Sequence, residues 1–380
     1  MATYESLGVL PLINANGTMT ALGGSKMPTQ VLAAMEQASQ HFVDMFELQR
    51  AVSEQIASLT RNEGALVVAG ASAGLLVSSL AAMTGTDMRA VARLEEHGGD
   101  GLDHNEIIMH RAHRIPGDNV ITLAGASIVE IGNVMETEMW ELEGAITERT
   151  AALVYIAGSH LQEGALPLTD VTATLGPMGI PVIVDAAAQL PPRDNLWRYT
   201  EEGADMVLFS GGKELRGPQT SGLILGRRDW IDACAVHIGP LPRLARPAKV
   251  GKEEMVGLLT ALEIWMEEDL DARLRRIEEV TAWWVDYFGD VPGVVVTREY
   301  PGESGRPLPR ALLRWPAELG LSATKVSQLA RTGDPGIDLA VAGPGSIWLS
   351  AEVLDPGEEA LVATRIREIL TSSDRPGPET

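Results

Sequence analysis

Short apolar runs alternate with segments of helical periodicity along most of the chain. GALVVAG (64–70), NEIIMH (105–110), AALVYI (151–156), IPVIVD (180–185), DMVLFS (205–210) and SGLILG (221–226) carry apolar residues in continuous blocks rather than at every second position. Such runs predict strands buried on both faces. Further strands are expected at 88–94 and 119–125. Between the runs, Val31, Met35, Phe42, Met45, Leu48 and Val52 recur at helical spacing from Pro28 to about Leu59, with Pro28 suited to a first turn. ASAGLLVSSLAAM, LTDVTATLGPMG and RRDWIDACAV also read as helices. This alternation predicts an α/β fold with a large, mostly parallel sheet and helices on both faces.

The ends of the chain read differently. Residues 1–30 are rich in Asn and Gly and predict an N-terminal arm, followed by a large domain over 31–248. A Pro- and Gly-rich linker covers 237–251, and a smaller C-terminal α/β domain is expected over 249–380. That domain opens on a long helical region broken near Asp269–Leu270. Strands are expected there at 292–297, 309–315 and 345–353, then a helix from PGEEALVATRIREILTS and a frayed end at 373–380.

Charge narrows the functional classes. The 380 residues carry a formal net charge of -22 and no Lys/Arg-rich stretch, which argues against a nucleic-acid partner. The apolar runs are too short for membrane spans, and no signal-like start is seen, so a soluble cytoplasmic protein is expected. The one cysteine, Cys234, lies in an apolar stretch and reads as a buried, inert thiol.

Candidate chemistry collects at strand ends, where open α/β sheets bind ligands. Only five lysines occur, and Lys213 follows the DMVLFS strand within SGGKELRGPQTSG. Its two preceding glycines permit a tight turn off the sheet. A lysine there can bond an aldehyde cofactor; the alternative is a surface-turn lysine. Asp185 ends the IPVIVD strand 28 residues earlier, one helix–strand unit away. It is either a helix cap or a carboxylate for the pyridine nitrogen of pyridoxal 5'-phosphate (PLP). The small residues of ASAG at a helix start, with the Ser72 hydroxyl, suit a phosphate, although such starts are common.

Other polar groups are placed less sharply. His104, His110 and His113 fall within ten residues but lack a complete metal-ligand set, so no metal is expected. His110 instead suits stacking on a cofactor ring, with Arg111 or Arg114 meeting a substrate anion, although strand neighbours 110 and 111 point oppositely. Glu163, Arg216, Gln219 and Thr220 lie in segments that follow strands. Arg243, Arg246, Lys249 and Lys252 form a basic stretch that is either a substrate-anion site or a charged linker.

Taken together, ASAG (71–74), HR (110–111), VEIGN (129–133), DAAAQLPP (185–192) and SGGKELRGPQTSGLILGR (210–227) resemble PLP enzymes related to bacterial selenocysteine synthase. The likeness is nearer to the D-glucosaminate-6-phosphate ammonia-lyase-like branch. It implies PLP-dependent fold type I, the aspartate-aminotransferase-like architecture, and a homodimer or higher homo-oligomer. It implies Lys213 as the Schiff-base lysine and Asp185 as the pyridine-nitrogen partner. Ser72, Ala73 and Ser210 are implied at the phosphate, and Gln189 at the ring. The implied reaction is α,β-elimination of a β-hydroxyl from an amino acid or amino sugar acid, releasing ammonia and a 2-keto acid. Arg111, Glu163, Arg216, Arg246 and Lys252 are the candidate substrate contacts. A racemase or aldolase would use the same constellation, and a non-catalytic scaffold is the reading of another class. The selenocysteine-synthase members act on charged tRNA and have an extra N-terminal region; the acidity here and the expected lack of that region argue against tRNA.

Overall fold

Continuous apolar runs with no polar face must sit between two layers of helices. The computed structural model describes residues 2–372, so the expected frayed segment 373–380 lies outside the described residues. A short strand β1 (Leu12–Asn14) is followed by helices α1 (Thr29–Ser39) and α2 (Met45–Leu59). Seven strands then form one sheet: β2 (Gly64–Val68), β3 (Glu106–His110), β4 (Ser127–Ile131), β5 (Thr150–Ile156), β6 (Val182–Asp185), β7 (Met206–Ser210) and β8 (Gly222–Gly226). Their order is β2-β8-β7-β6-β5-β3-β4. β3 to β7 and β4 run parallel, whereas β8 runs against both its neighbours, β7 and β2.

The connecting helices are α3 (Ala71–Thr84), α4 (Met88–His97), α5 (Asn119–Leu123), α6 (Met139–Ala145), α7 (Leu168–Leu175), α8 (Asn195–Glu201), α9 (Arg228–Ala235) and α10 (Lys252–Glu267). α3 packs across β5 to β8 and is apolar on nearly all sides, as a fully covered helix must be. Gly74 lets it approach closely: a Cβ there would lie 3.3 Å from the Leu208 side chain.

Several elements differ from the expectation. Residues 88–94 are helical, because Asp87 caps the Arg89 N–H at 2.8 Å and Ala90, Val91 and Leu94 bury at helical spacing. Residues 119–125 begin with the short helix α5, and the strand expected there lies at 127–131. As the sheet's edge, β4 exposes Ser127 and Glu130 and buries only Ile131, so it carries no continuous buried apolar run. The helical stretch from Pro28 to Leu59 is broken at 40–44, where the Asp44 carboxylate accepts from the Phe46 and Glu47 N–H groups. Phe42 in that break is fully exposed rather than part of a core stripe.

The chain divides into two compact units, residues 27–268 and residues 2–26 with 269–372. The expected boundaries at 30 and 248 are therefore corrected. α10 packs along α1 and α2, which holds it in the large unit despite the Pro/Gly-rich segment before it. The first residues join the small unit because β1 pairs in parallel with β11 (Gly336–Asp338). That unit also contains α11 (Leu270–Phe288), α12 (Ala323–Arg331) and α13 (Glu358–Thr371). Its antiparallel sheet has β9 (Val295–Glu299), β10 (Arg310–Arg314), β12 (Ala340–Gly343) and β13 (Ser346–Ser350) in the order β12-β13-β10-β9. Trp284, Phe288, Leu313, Ile347 and Ile366 are among its buried core residues. Among the described residues, no helix is long and apolar enough to cross a membrane.

Candidate active site

The large sheet reverses its direction of growth between β3 and β5: the chain leaves β3 for β4 on one side and β5 for β6 and β7 on the other. The carboxyl ends of strands at such a reversal form a crevice. β6 delivers Asp185 to this edge. The Asp185 carboxylate accepts from the Ala187 N–H at 3.0 Å. Burial raises its pKa above the ordinary carboxylate value, opposed by the Ala187 N–H and by the charge of Lys213. Lys213 thus lies within electrostatic reach of Asp185.

The loop that carries Lys213 joins β7 to β8 and is folded tightly on itself. The Gly211 N–H donates to Ser221 O at 2.9 Å, and the Gly217 N–H donates to Gly211 O at 2.8 Å. Arg216 closes the turn with φ of 56°, and its N–H donates to Lys213 O at 3.0 Å. A Cβ at Gly212 would lie 2.5 Å from Gln219 Cα, so glycine is required by close approach. Lys213 itself is half-buried on this frame.

The same hairpin reaches the start of α3. Ser210 pairs with Gly222, and a Cβ on Gly222 would lie 2.6 Å from the carbonyl carbon of Gly70 and 2.9 Å from Ala71 N. Ser210 therefore sits beside the first turn of α3, where Ser72 is exposed and Ala73 half-buried. The first N–H groups of a helix lack intrahelical acceptors and attract anions. Gln189 is brought in as well, since the chain turns back after Asp185 with the Gln189 N–H on Ala186 O at 3.0 Å.

The remaining expected residues are placed elsewhere or already engaged. His110 is wholly buried, with its Nε2 accepting from the Leu166 N–H at 3.2 Å, because β3 turns this side chain into the core. Its expected stacking role is corrected on that ground. Lys252 donates to Ala38 O at 2.8 Å and pairs with Glu253, so its charge stabilises the carboxyl end of α1 rather than facing a ligand. The Arg246 guanidinium donates to Pro240 O at 3.2 Å within its own loop. Arg111 pairs with Glu130 at 2.9 Å, Arg216 pairs with Glu268 at 3.1 Å, and Glu163 is exposed in the segment after β5. Cys234 is buried, and burial pushes its thiol up to about 12.

Two further histidines lie beside the strand end that carries Asp185, and of these only His160 is missing from the sequence reading. His113 accepts from the Ile156 N–H at 3.3 Å, and Ile156 is the strand partner of Asp185. His160 stands just beyond the end of β5, three residues before the Glu163 that drew attention in the same segment. Burial pushes His110 down to about 4; burial and the neighbouring His110 push His113 down to about 3. His237 falls to about 4 through burial and the charge of Arg243. Since these values lie below the ordinary 6.5, the unfolded chain binds protons first. Stability is then full above about pH 6.5 and falls as the pH drops toward the folded values. The expected loss is on the order of 2 kcal/mol per histidine by about pH 5. Urea midpoints followed from neutral to mildly acidic pH would show this slope, and His113→Gln would flatten it.

The large mixed sheet and the smaller α/β unit are those of a fold-type-I enzyme of the PLP-dependent class. The chain belongs to the SelA, L-seryl-tRNA selenium transferase, family, whose model matches residues 12–282. It is 35% identical to the D-glucosaminate-6-phosphate ammonia lyase of Salmonella typhimurium, over 96% of this chain and 97% of that protein. It is also 35% identical to a 5'-C-glycyluridine monooxygenase-decarboxylase of a Streptomyces species, over 97% of this chain and 92% of that protein. A solved structure of D-glucosaminate-6-phosphate ammonia-lyase superposes with a TM-score of 0.83 at 34% identity, covering 97% of this chain and 98% of that one.

Proposed function

We propose that the protein is a PLP-dependent lyase that removes a β-hydroxyl from an amino acid or amino sugar acid and releases ammonia and a 2-keto acid. The observation that carries the cofactor assignment is the placement of Lys213 within electrostatic reach of buried Asp185. A buried carboxylate with a raised pKa is incomplete without a cationic partner, and a pyridinium N–H suits it. The amides at the start of α3, with Ser72 and Ser210, suit the phosphate. Lys213 supplies the amine. The lyase assignment is supported by the similarity to the Salmonella ammonia lyase and its solved counterpart.

When bound, PLP supplies an electron sink for the pair left by a broken Cα–H bond. Asp185 would keep the ring nitrogen protonated. Lys213 would hold the cofactor through its amine and, when freed, would take the Cα proton. Loss of hydroxide from Cβ, with a proton added to the leaving oxygen, gives water and an enamine. Hydrolysis of the released enamine gives ammonia and the keto acid. Arg216, in the same loop as Lys213, is the candidate cation for a substrate carboxylate or phosphate, which would take the place of its partner Glu268. The acidic composition and the buried single thiol suit a cytoplasmic protein, and the likeness to this fold class supports a homo-oligomer.

Purified holoenzyme given D-glucosaminate 6-phosphate, serine or threonine of either hand should release ammonia and keto acid in equal amounts. Isomerised amino acid as the only product would overturn the lyase reading. The equal identity to the Streptomyces enzyme favours oxygen-dependent decarboxylation as the second reading. Dioxygen uptake with release of carbon dioxide, in place of ammonia formation, would establish that alternative.

A further inference from the structure

The elimination needs a proton for the departing hydroxyl, and the end of β5 holds a group suited to give it. The Ala157 N–H donates to Asp185 O at 2.9 Å, which places Gly158 two residues beyond Ile156, the strand partner of the site aspartate. A Cβ at Gly158 would lie 2.9 Å from His160 Cε1, 3.1 Å from His160 Nδ1 and 3.5 Å from Gln189 Nε2. The imidazole and the amide therefore converge over Gly158, and glycine leaves the space that lets them meet. His160 is exposed, and no hydrogen bond to its ring is found among the described residues. The other imidazoles are spent or remote. His110, His113 and His237 are buried with a ring nitrogen bonded, and His104 is bonded to Glu148 O at 2.7 Å. His97 neighbours Glu96 at the end of α4, and His41 lies in the α1–α2 break.

We propose that His160 is the acid that protonates the departing hydroxyl, with Gln189 beside it at the Asp185 edge of the crevice. This rests on the lyase reading. Lys213 takes the Cα proton, and the pair from that bond moves to form the Cα–Cβ double bond. The Cβ–O bond breaks, its pair stays on oxygen, and the proton from the imidazolium completes water. His160 regains a proton from solvent before the next turnover.

A halide leaves without needing that proton, so the leaving group tests the assignment. His160→Gln holoenzyme would be compared with the parent protein on serine and D-glucosaminate 6-phosphate, and on β-chloroalanine. Exchange of the Cα hydrogen with deuterated solvent would be followed in parallel. The expected result is a fall in kcat of about 100-fold or more on the hydroxyl compounds. β-Chloroalanine turnover and Cα exchange should stay within a few-fold of the parent. Equal losses on both leaving groups would overturn the proposal, because they would make His160 a support for the site as a whole. No loss on either would overturn it by leaving the proton donor elsewhere. If the parent protein eliminated neither hydroxyl nor chloride, the lyase reading itself would fall, and this assignment with it.

Discussion

Lys213→Ala should yield a folded protein that no longer retains PLP covalently and has lost activity by about 10³-fold or more. The folded state should survive because Lys213 is half-buried at the crest of a hairpin that backbone hydrogen bonds hold. Two readouts separate the roles. Borohydride reduction followed by peptide mapping should label the parent protein at Lys213 and leave the variant unlabelled. Added PLP should still bind reversibly to the variant, since the α3 amides, Ser210 and Asp185 remain. Unchanged activity, or borohydride labelling at Lys26, Lys249, Lys252 or Lys325 in the parent, would move the cofactor elsewhere.

Asp185→Asn should retain the fold and lower kcat by about 10²- to 10³-fold. The substitution keeps shape and the acceptor for the Ala187 N–H but removes the charge that a protonated ring nitrogen needs. Because burial already works against the ionised carboxylate, the apoprotein of the variant should be at least as stable as the parent apoprotein. PLP binding should weaken and its visible absorbance should change. Near-parental kcat would show that Asp185 only closes the turn toward Ala187.

The candidate residues Asp185 and Lys213, which the fold brings within electrostatic reach of each other, stand out because they sit where the sequence signals are strongest. The runs before Asp185 and Lys213 are buried on both faces, so their apolar residues are continuous and their ends are marked by a charge or by paired glycines. Edge strand β4, with exposed Ser127 and Glu130, gives no such run and lies at 127–131 rather than 119–125. His110 and His113 were ambiguous because they span the point where β3 gives way to a helical turn, and alternation stops predicting direction there. The basic stretch 243–252 looked like a site because local sequence cannot show that Lys252 meets the end of a helix more than 200 residues earlier, at Ala38. Likewise the Pro/Gly-rich segment before α10 resembled a domain linker, although α10 packs back on α1 and α2.

The pairing of Leu12 with Gly336 and of Asn14 with Asp338 has a consequence for the order in which the chain completes itself. During synthesis, all of residues 27–268 emerge before β11 exists, so the large unit has every strand of its sheet available early. The first 26 residues emerge sooner still, yet their strand must wait for more than 300 further residues. Closing so long a loop is slow. The strand Leu12–Asn14 is therefore left without its native partner until Gly336–Asp338 has been made, and the small unit is finished after the large one.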